Sequence, residues 1–373
     1  MIRFTLILST LLFAALQSSA GEIKIIANLD GFSDNAVAYL LNGQTPLAYQ
    51  TISQGTVELK AEVPESPETY VLYVVENNQP YYTMLFVADE TIEVTATKKD
   101  FPYAVKVTGS EYHPAKATLD EMQAPIHKKS ETLKQEIVAL QQNGEWQKPE
   151  VREKYVGENG LTHKITEELK QLEAEFILNH LDTAYAFSLL QYNTTAFDST
   201  FYQAVYNKMT PKQQQSETGQ QYLLASKSKR LTKGNQYIDF DVLDKNLNTQ
   251  KLSDYFNRNK EAYVLVDLSS VSCPSSNQAF SITKNFSEKN KEKLEVVTVL
   301  QSPDANTYKQ FGALSTENWS LVYAENFMNS DAYIKYQENA TPTFLLFDKN
   351  GKLVDRWTGS LIHQQKLEEH FGK

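Results

Sequence analysis

From Gly21 to about Val107 the chain alternates apolar and polar residues with a period of two. The runs Glu22–Ile26, Thr56–Val63, Tyr70–Val75, Tyr82–Val87 and Thr91–Thr97 each predict a strand with one face buried. Asp30-Gly31, Asn42-Gly43, Gln54-Gly55, Asn77-Asn78 and Ala88-Asp89-Glu90 separate the runs, and residues of these types accept the backbone angles of tight turns. Many short strands with regular turns predict an antiparallel β-sandwich or partial barrel over residues 21–108. The aromatic residues Tyr39, Tyr70, Tyr73, Tyr81, Tyr82 and Phe86 either form a binding face or serve as core and cross-strand pairs; the second reading is preferred.

The period then changes. Between Gly109 and about Arg230 apolar residues recur every three or four positions, as in Ile165, Leu169, Leu172, Phe176, Ile177 and Leu181, with Glu and Lys on the other side. Leu133, Ile137 and Leu140 predict another helix, stopped by Asn143-Gly144. Phe197, Phe201 and Val205 predict a third, and Thr210-Pro211 reads as an N-cap with Pro at the first helical position. This helical region, 109–230, is expected to be a spacer between two domains. The Gln-rich patch Gln213–Gln221 reads as a solvated face or loop.

Ser226–Asn235 links into a last domain, 231–373. Tyr237–Leu243 alternates like an edge strand, Tyr263–Val266 and Leu294–Leu300 are unbroken apolar runs suited to buried strands, and Asp304–Phe311 predicts a helix. A C-terminal helix is expected over His363–Phe371, with Ile362, Leu367 and Phe371 facing inward. The order is β-α-β, a hairpin, then a helix, which predicts a mixed sheet with helices on both faces.

Composition narrows the function. With 373 residues the chain has room for two or three domains, and a formal net charge of -10 argues against nucleic acid as a partner. One cysteine and six scattered histidines, His113, His127, His163 and His180 among them, make no zinc pattern, so no metal and no cofactor is expected. Met1–Ala20 reads as a secretory signal: Arg3 supplies the positive start, Phe4–Leu16 the apolar segment, and Ser18-Ser19-Ala20 the small residues before a cut. The apolar part is short for a bilayer span, and no cysteine sits at the cut, so an exported chain without membrane span after cleavage is expected. Its single thiol then cannot form an internal disulfide.

That thiol is Cys273, at the end of Tyr263–Gln278, YVLVDLSSVSCPSSNQ. Pro274 follows where a helix can begin, because its missing N–H would be unpaired there anyway. A cysteine just ahead of a helix faces unpaired N–H groups and the positive end of the helix dipole, which favours thiolate over a free pKa of about 8.5.

These residues resemble the thioredoxin superfamily, nearest its exported thiol–disulfide oxidoreductases of the TlpA/ResA-like (AhpC/TSA) type. The family has a buried strand written VLVDFWA before a Cys-x-x-Cys motif. Here VLVD is kept, Cys273 takes the place of the first cysteine, Ser276 that of the second, and Pro274-Ser275 that of the Gly-Pro between them. Asp267 lies six residues before Cys273, as does the family's buried aspartate. A second match is Asn339–Gly359, NATPTFLLFDKNGKLVDRWTG, where Thr341-Pro342 corresponds to the family's cis Thr-Pro. The resemblance covers roughly Lys233–Lys373. The N-terminal region resembles the uncharacterised β-domain that precedes such domains in many exported proteins of Gram-negative bacteria, which implies the periplasm.

What the resemblance implies is a site of Cys273 and Asp267, with Thr341, Pro342, Ser276 and Pro274 about the substrate. Ser276 cannot resolve a mixed disulfide, so the dithiol–disulfide cycle is closed to this chain acting alone. Three functions are expected in descending order. The first is a single-cysteine protein that forms mixed disulfides with exported polypeptides or a thiol donor protein. The second is a non-catalytic binding module. The third is a single-cysteine peroxidase, against which stands Val266 where the motif Pro-x-x-x-Thr/Ser-x-x-Cys has Pro, although Ser270 fits.

Overall fold

The computed structural model describes residues 20–64, 66–157, 159–302, 304–324 and 329–372. The expected signal segment therefore lies outside the described residues but for Ala20. The chain forms two compact units, residues 1–176 with 182–186, and residues 177–181 with 187–373.

The first unit begins with eight strands: β1 (Ala20–Asp30), β2 (Val37–Asn42), β3 (Thr45–Thr51), β4 (Thr56–Pro64), β5 (Glu68–Glu76), β6 (Gln79–Val87), β7 (Thr91–Thr97) and β8 (Lys106–Thr108). They make two four-stranded sheets, ordered β4-β1-β7-β8 and β3-β2-β5-β6. Ile23, Ile25, Ala27 and Leu29 from one sheet and Ala38, Leu40, Leu72 and Val74 from the other share one buried core, the sandwich that period-two alternation predicts. It is not wholly antiparallel: β1 runs parallel to β7.

The two outer faces differ. On the first sheet, Lys24 and Lys60 both reach Glu58, at 3.1 and 3.0 Å, and Glu22 stands opposite Glu62. On the second, three cross-strand ranks carry no charge: Thr51-Val37-Val75-Pro80, Tyr49-Tyr39-Tyr73-Tyr82 and Pro46-Leu41-Val71-Met84. The aromatic residues thus divide. Tyr70 and Phe86 are buried and Tyr81 packs on the core with Phe32, while Tyr39, Tyr73 and Tyr82 stand on the outer face.

The helices are α1 (His113–Gln142), α2 (Pro149–Val156), α3 (Leu161–His180), α4 (Ala184–Leu189), α5 (Ser199–Lys208), α6 (Pro211–Gln215) and α7 (Glu217–Lys227). Gly144, with φ 80°, ends the run of α1 as expected, and Thr210 and Gln213 form a capping box on α6. These helices do not form a compact unit of their own; they are shared between the two units. In the first unit, His113 at the start of α1 accepts the backbone N–H of Phe86, and Tyr185 lies against the Phe86 ring. In the second, Ile177, Tyr202, Val205, Tyr222 and Ala225 enclose a core that includes Ile334. The longer helices carry a narrow apolar stripe, too little to close a core without a sheet or a further helix, and α6 buries none of its residues.

The second unit continues with β9 (Asp241–Leu243), β10 (Thr249–Lys251), α8 (Leu252–Phe256), β11 (Tyr263–Ser270), α9 (Pro274–Lys289), β12 (Leu294–Gln301), α10 (Ala305–Gly312), β13 (Trp319–Ala324), α11 (Asp331–Tyr336), β14 (Thr343–Phe347), β15 (Leu353–Thr358) and α12 (His363–Phe371). The sheet order is β10-β9-β13-β12-β11-β14-β15. β11, β12 and β13 are parallel, and β14 and β15 form the antiparallel hairpin. Strand alternation fills both faces. Val264, Val266 and Leu268 pack towards α8 and α11, and Leu265 packs towards α9 and α12. One expectation fails at the C-terminus: Ile362 is exposed at 43%, and His363 takes the inward place in the stripe with Leu367 and Phe371. Ile362 caps α12 and precedes its stripe, whereas 363, 367 and 371 are spaced by four.

Candidate functional site

The buried strand β11 ends at Ser270, and a turn closed by the Cys273 N–H to the Ser270 carbonyl at 3.1 Å presents Cys273 as the N-cap of α9. Pro274 is the first helical residue, and the Asn277 N–H to Cys273 carbonyl bond, 3.1 Å, opens the helix. Cys273 is half-buried and Pro274 exposed. The peptide bond between Thr341 and Pro342 is cis, and Cys273 Sγ lies 3.3 Å from the Thr341 carbonyl oxygen. The fold therefore brings together Cys273, Pro274, Ser276, Thr341 and Pro342, residues up to 69 positions apart in the chain.

Partial burial raises the Cys273 pKa, but opposing contacts outweigh it and leave the thiol below its ordinary value. They are the Ser276 N–H, the Thr341 and Ser276 hydroxyls and the Ser275 N–H. None is a regular capping bond, so the gain is the summed field of several donors at a helix start. The Thr341 carbonyl acts the other way, as an acceptor for the thiol proton. Ser276 is fully buried and its Oγ accepts the Ser270 N–H at 3.2 Å, which leaves its hydroxyl proton for the sulfur. The residue in the resolving position thus cannot form a disulfide but can steady a thiolate.

Asp267 sits on the same strand, on the face of β11 that Leu265 shares with α9 and α12. It is fully buried. Ser269 Oγ donates to Oδ1 at 2.5 Å and Thr298 Oγ1 to Oδ2 at 2.9 Å, while Trp319 Nε1 donates to Thr298 Oγ1 at 2.9 Å. Burial pushes the Asp267 pKa up to about 7, against the pull of those two hydroxyls. No hydrogen bond among the described residues joins Asp267 to Cys273. Tyr333, also fully buried, stands near both: its hydroxyl donates to the Ser269 carbonyl at 3.5 Å, and its pKa is raised by burial and by the charges of Asp267, Cys273 and Glu338.

Three supporting groups escape a reading of the sequence. Tyr333 and Thr298 carry no local motif. Ser275, Ser360 and Gln278 form a hydroxyl–amide chain, at 2.9 and 3.0 Å, that ties the start of α9 to the turn after β15. The adjoining Gly359 N–H donates to the Pro342 carbonyl at 2.9 Å. Glu338, fully buried three residues before Thr341, takes two bonds each from Arg356 (2.7 and 2.5 Å) and Arg230 (3.5 and 3.2 Å). Such forked pairs fix a carboxylate in plane, so they hold the segment leading into the proline loop.

Residues 261–353 match a protein-family model described as thioredoxin-like. Comparison with curated proteins gives no match. Among solved structures, the chain is similar to a putative thiol:disulfide interchange protein, DsbE, from Chlorobium tepidum, with 23% identity over 37% of this chain and 94% of that one, TM-score 0.32. The thioredoxin domain of a thiol-disulfide oxidoreductase from Bacteroides vulgatus matches at 19% identity over 37% and 97%, TM-score 0.33. An exposed lipoprotein thioredoxin, Etrx1, from Streptococcus pneumoniae strain TIGR4 matches at 21% identity over 35% and 99%, TM-score 0.29. The strand order, the helices on both faces and the family match together make the C-terminal part a thioredoxin-like α/β domain, behind an N-terminal β-sandwich and a helical region.

Proposed function

We propose that this chain is an exported thioredoxin-like protein that works by thiol–disulfide exchange through a single cysteine. The observation that carries the reading is Cys273 at the tip of α9, with its pKa lowered and the Thr341 carbonyl 3.3 Å from its sulfur. In the proposed step the Cys273 thiolate attacks a disulfide R–S–S–R′, forming Cys273–S–S–R and releasing R′–S⁻. A second thiolate from a donor protein then attacks the mixed disulfide and frees Cys273. No net oxidation occurs, and no second cysteine in this chain is needed. The bound polypeptide would lie along the Thr341-Pro342 loop. Asp267, neutral up to about pH 7, would hold or take a proton as the sulfur changes charge.

The test is the pH profile of Cys273 alkylation in the mature chain. The expected midpoint lies below that of an unperturbed thiol, about 8.5, and a model disulfide R–S–S–R forms Cys273–S–S–R with release of R–S⁻ in the native chain but not in Cys273→Ala. A midpoint at or above that value sinks the exchange reading. Full activity of Cys273→Ala in cells would leave the binding module, which buried, fully bonded Ser276 also suits.

Export to the periplasm of a Gram-negative bacterium is proposed on the pattern of Met1–Ala20. Among the described residues no helix is long and apolar enough to cross a membrane. The mass of the chain recovered from the cell envelope is expected to begin at Gly21; a full-length mass in the cytoplasmic fraction would overturn this.

A further inference from the structure

The helix that leads into the proline loop is gripped on two sides. One face of α11 meets the sheet, where Ala332, Tyr333 and Tyr336 join the core beneath β11 and β14. Its other face carries Ile334, fully buried in the core that α3, α5 and α7 build from Ile177, Tyr202, Tyr222 and Ala225. After α11 the backbone turns through Gln337, at φ 52°, and the Glu338 N–H returns to the Tyr333 carbonyl at 3.2 Å. Three residues beyond Glu338 stands Thr341, whose carbonyl meets the Cys273 sulfur. So short a span, at most about 10 Å when extended, hands any shift at Glu338 on to the loop.

Glu338 is the fixed point of that span. Its side chain is fully buried, and each carboxylate oxygen accepts one bond from each of two guanidiniums. A buried carboxylate rests only where it is paired and hydrogen-bonded, so both arginines decide where it lies. They come from different parts of the second unit. Arg356 is on β15, opposite Leu345 of β14, and ties Glu338 to the hairpin. Arg230 lies three residues past the end of α7 and closes the outer side. Its side chain is 55% exposed, against 23% for Arg356. Arg230 is itself anchored: the next residue, Leu231, is buried in the sheet core, and the Gly234 N–H donates to the Leu353 carbonyl at 2.8 Å. It also lies outside residues 261–353, which match the thioredoxin-like model.

We propose that Arg230 is a positioning residue for the redox site, which presets the Thr341-Pro342 loop through Glu338 for a peptide substrate. The inference rests on the exchange reading and adds that the end of the helical region helps to build the docking loop. A peptide that pairs with the loop binds best when the loop is already in place, because a loose loop must be ordered at the expense of affinity. A small disulfide reaches the sulfur without pairing to the loop and is indifferent to its order. Removing Arg230 leaves Glu338 paired with Arg356 and open to water, so the fold persists while the loop loosens.

The experiment uses two disulfides that release the same leaving group from the mature full chain's thiol. One is dithiobis(nitrobenzoate); the other is a short neutral peptide joined through its one cysteine to nitrothiobenzoate. In each the Cys273 thiolate bonds to one sulfur, the old S–S bond breaks, and coloured nitrothiobenzoate departs with the electron pair. In Arg230→Ala the peptide is expected to need at least about tenfold more for half-saturation, the worth of one charge-assisted hydrogen bond. The rate at saturation, and the rate with dithiobis(nitrobenzoate), stay within about twofold of native. Arg230→Lys restores the charge without the fork and recovers part of the peptide affinity. Arg230→Gln, which keeps a stem over Glu338, serves if the alanine chain does not fold. Equal slowing of both reagents would show a merely structural role and overturns the proposal. An unchanged peptide reaction overturns it too, as does a native chain that reacts with the small reagent alone. A native chain that reacts with neither sinks the exchange reading instead. The proposal is then judged by fluorescence anisotropy of the same peptide, reduced and labelled, on Cys273→Ala with Arg or Ala at 230. Binding about tenfold weaker with Ala supports it; equal or absent binding overturns it.

Discussion

Ser276→Cys is expected to yield a chain that closes its own disulfide and gains dithiol–disulfide turnover. Residues 273 and 276 stand at the N-cap and third position of α9. Positions three apart at a helix start lie on one face, with Cβ atoms about 5–6 Å apart, and a disulfide, whose Cβ atoms stand about 3.5–4.5 Å apart, closes once the first turn tightens by about 1–2 Å. The Ser276 hydroxyl already faces the Cys273 sulfur. The cost is modest: sulfur accepts the Ser270 N–H less well than oxygen does, a loss of about 1 kcal/mol. On mild oxidation the variant should lose two hydrogens in mass and show no free thiol, whereas the native chain keeps one. Reduction of insulin disulfides in the presence of dithiothreitol should rise at least ~10-fold over the native chain, because the mixed disulfide now resolves internally. Two free thiols after oxidation would mean that 276 does not address the sulfur, and the account of Ser276 as thiolate partner would go with it.

Asp267→Asn should stabilise the protein at pH 8 and leave it unchanged near pH 4. Folded, Asp267 has a pKa of about 7 because burial in the β11–β12 face disfavours its charge. Unfolded, it titrates near ~4. Between those values the folded state holds a proton that the unfolded state has lost. Stability therefore falls as pH rises through that window and is level above it. The three-unit gap corresponds to on the order of 3–4 kcal/mol at pH 8. Asn keeps the shape, accepts from Ser269, donates to Thr298 and cannot ionise, so it should recover most of that amount. Urea midpoints of both chains at pH 4, 6 and 8 check it: the curves are expected to meet at pH 4 and part by pH 8. A constant offset would show that hydrogen-bond repair, not ionisation, sets the cost. The same variant should also slow exchange at Cys273 if Asp267 moves a proton there, a separate readout from stability.

Much of the fold is legible from local rules. Period-two alternation with Gly, Asn and Asp at the breaks specifies β1, β4, β5, β6 and β7, because a strand with one buried face admits no other pattern. Apolar runs specify β11 and β12, and Pro274 marks the start of α9, since its missing N–H costs nothing there. The placement of Cys273 at that start follows from sequence alone. What the tertiary structure decided is everything that depends on which strand lies beside which. Four tyrosines form one rank only because β3, β2, β5 and β6 pair in one register, a relation between residues up to 43 apart that no local pattern encodes. Tyr70 and Tyr73, three apart on β5, fall on opposite faces, one buried and one outward. Asp267 corresponds in sequence to the buried aspartate of the family it resembles; the closing of β12 and α9 over it is what removes its water and raises its pKa. Helical periodicity specifies the helices of 109–230 but not their allegiance, because an amphipathic stripe states that a helix must be covered and leaves open by what. Sequence thus set the thiol at a helix tip, and long-range packing set the Thr341 carbonyl against it, since short-range preferences act over a turn or two while desolvation acts only once distant segments meet.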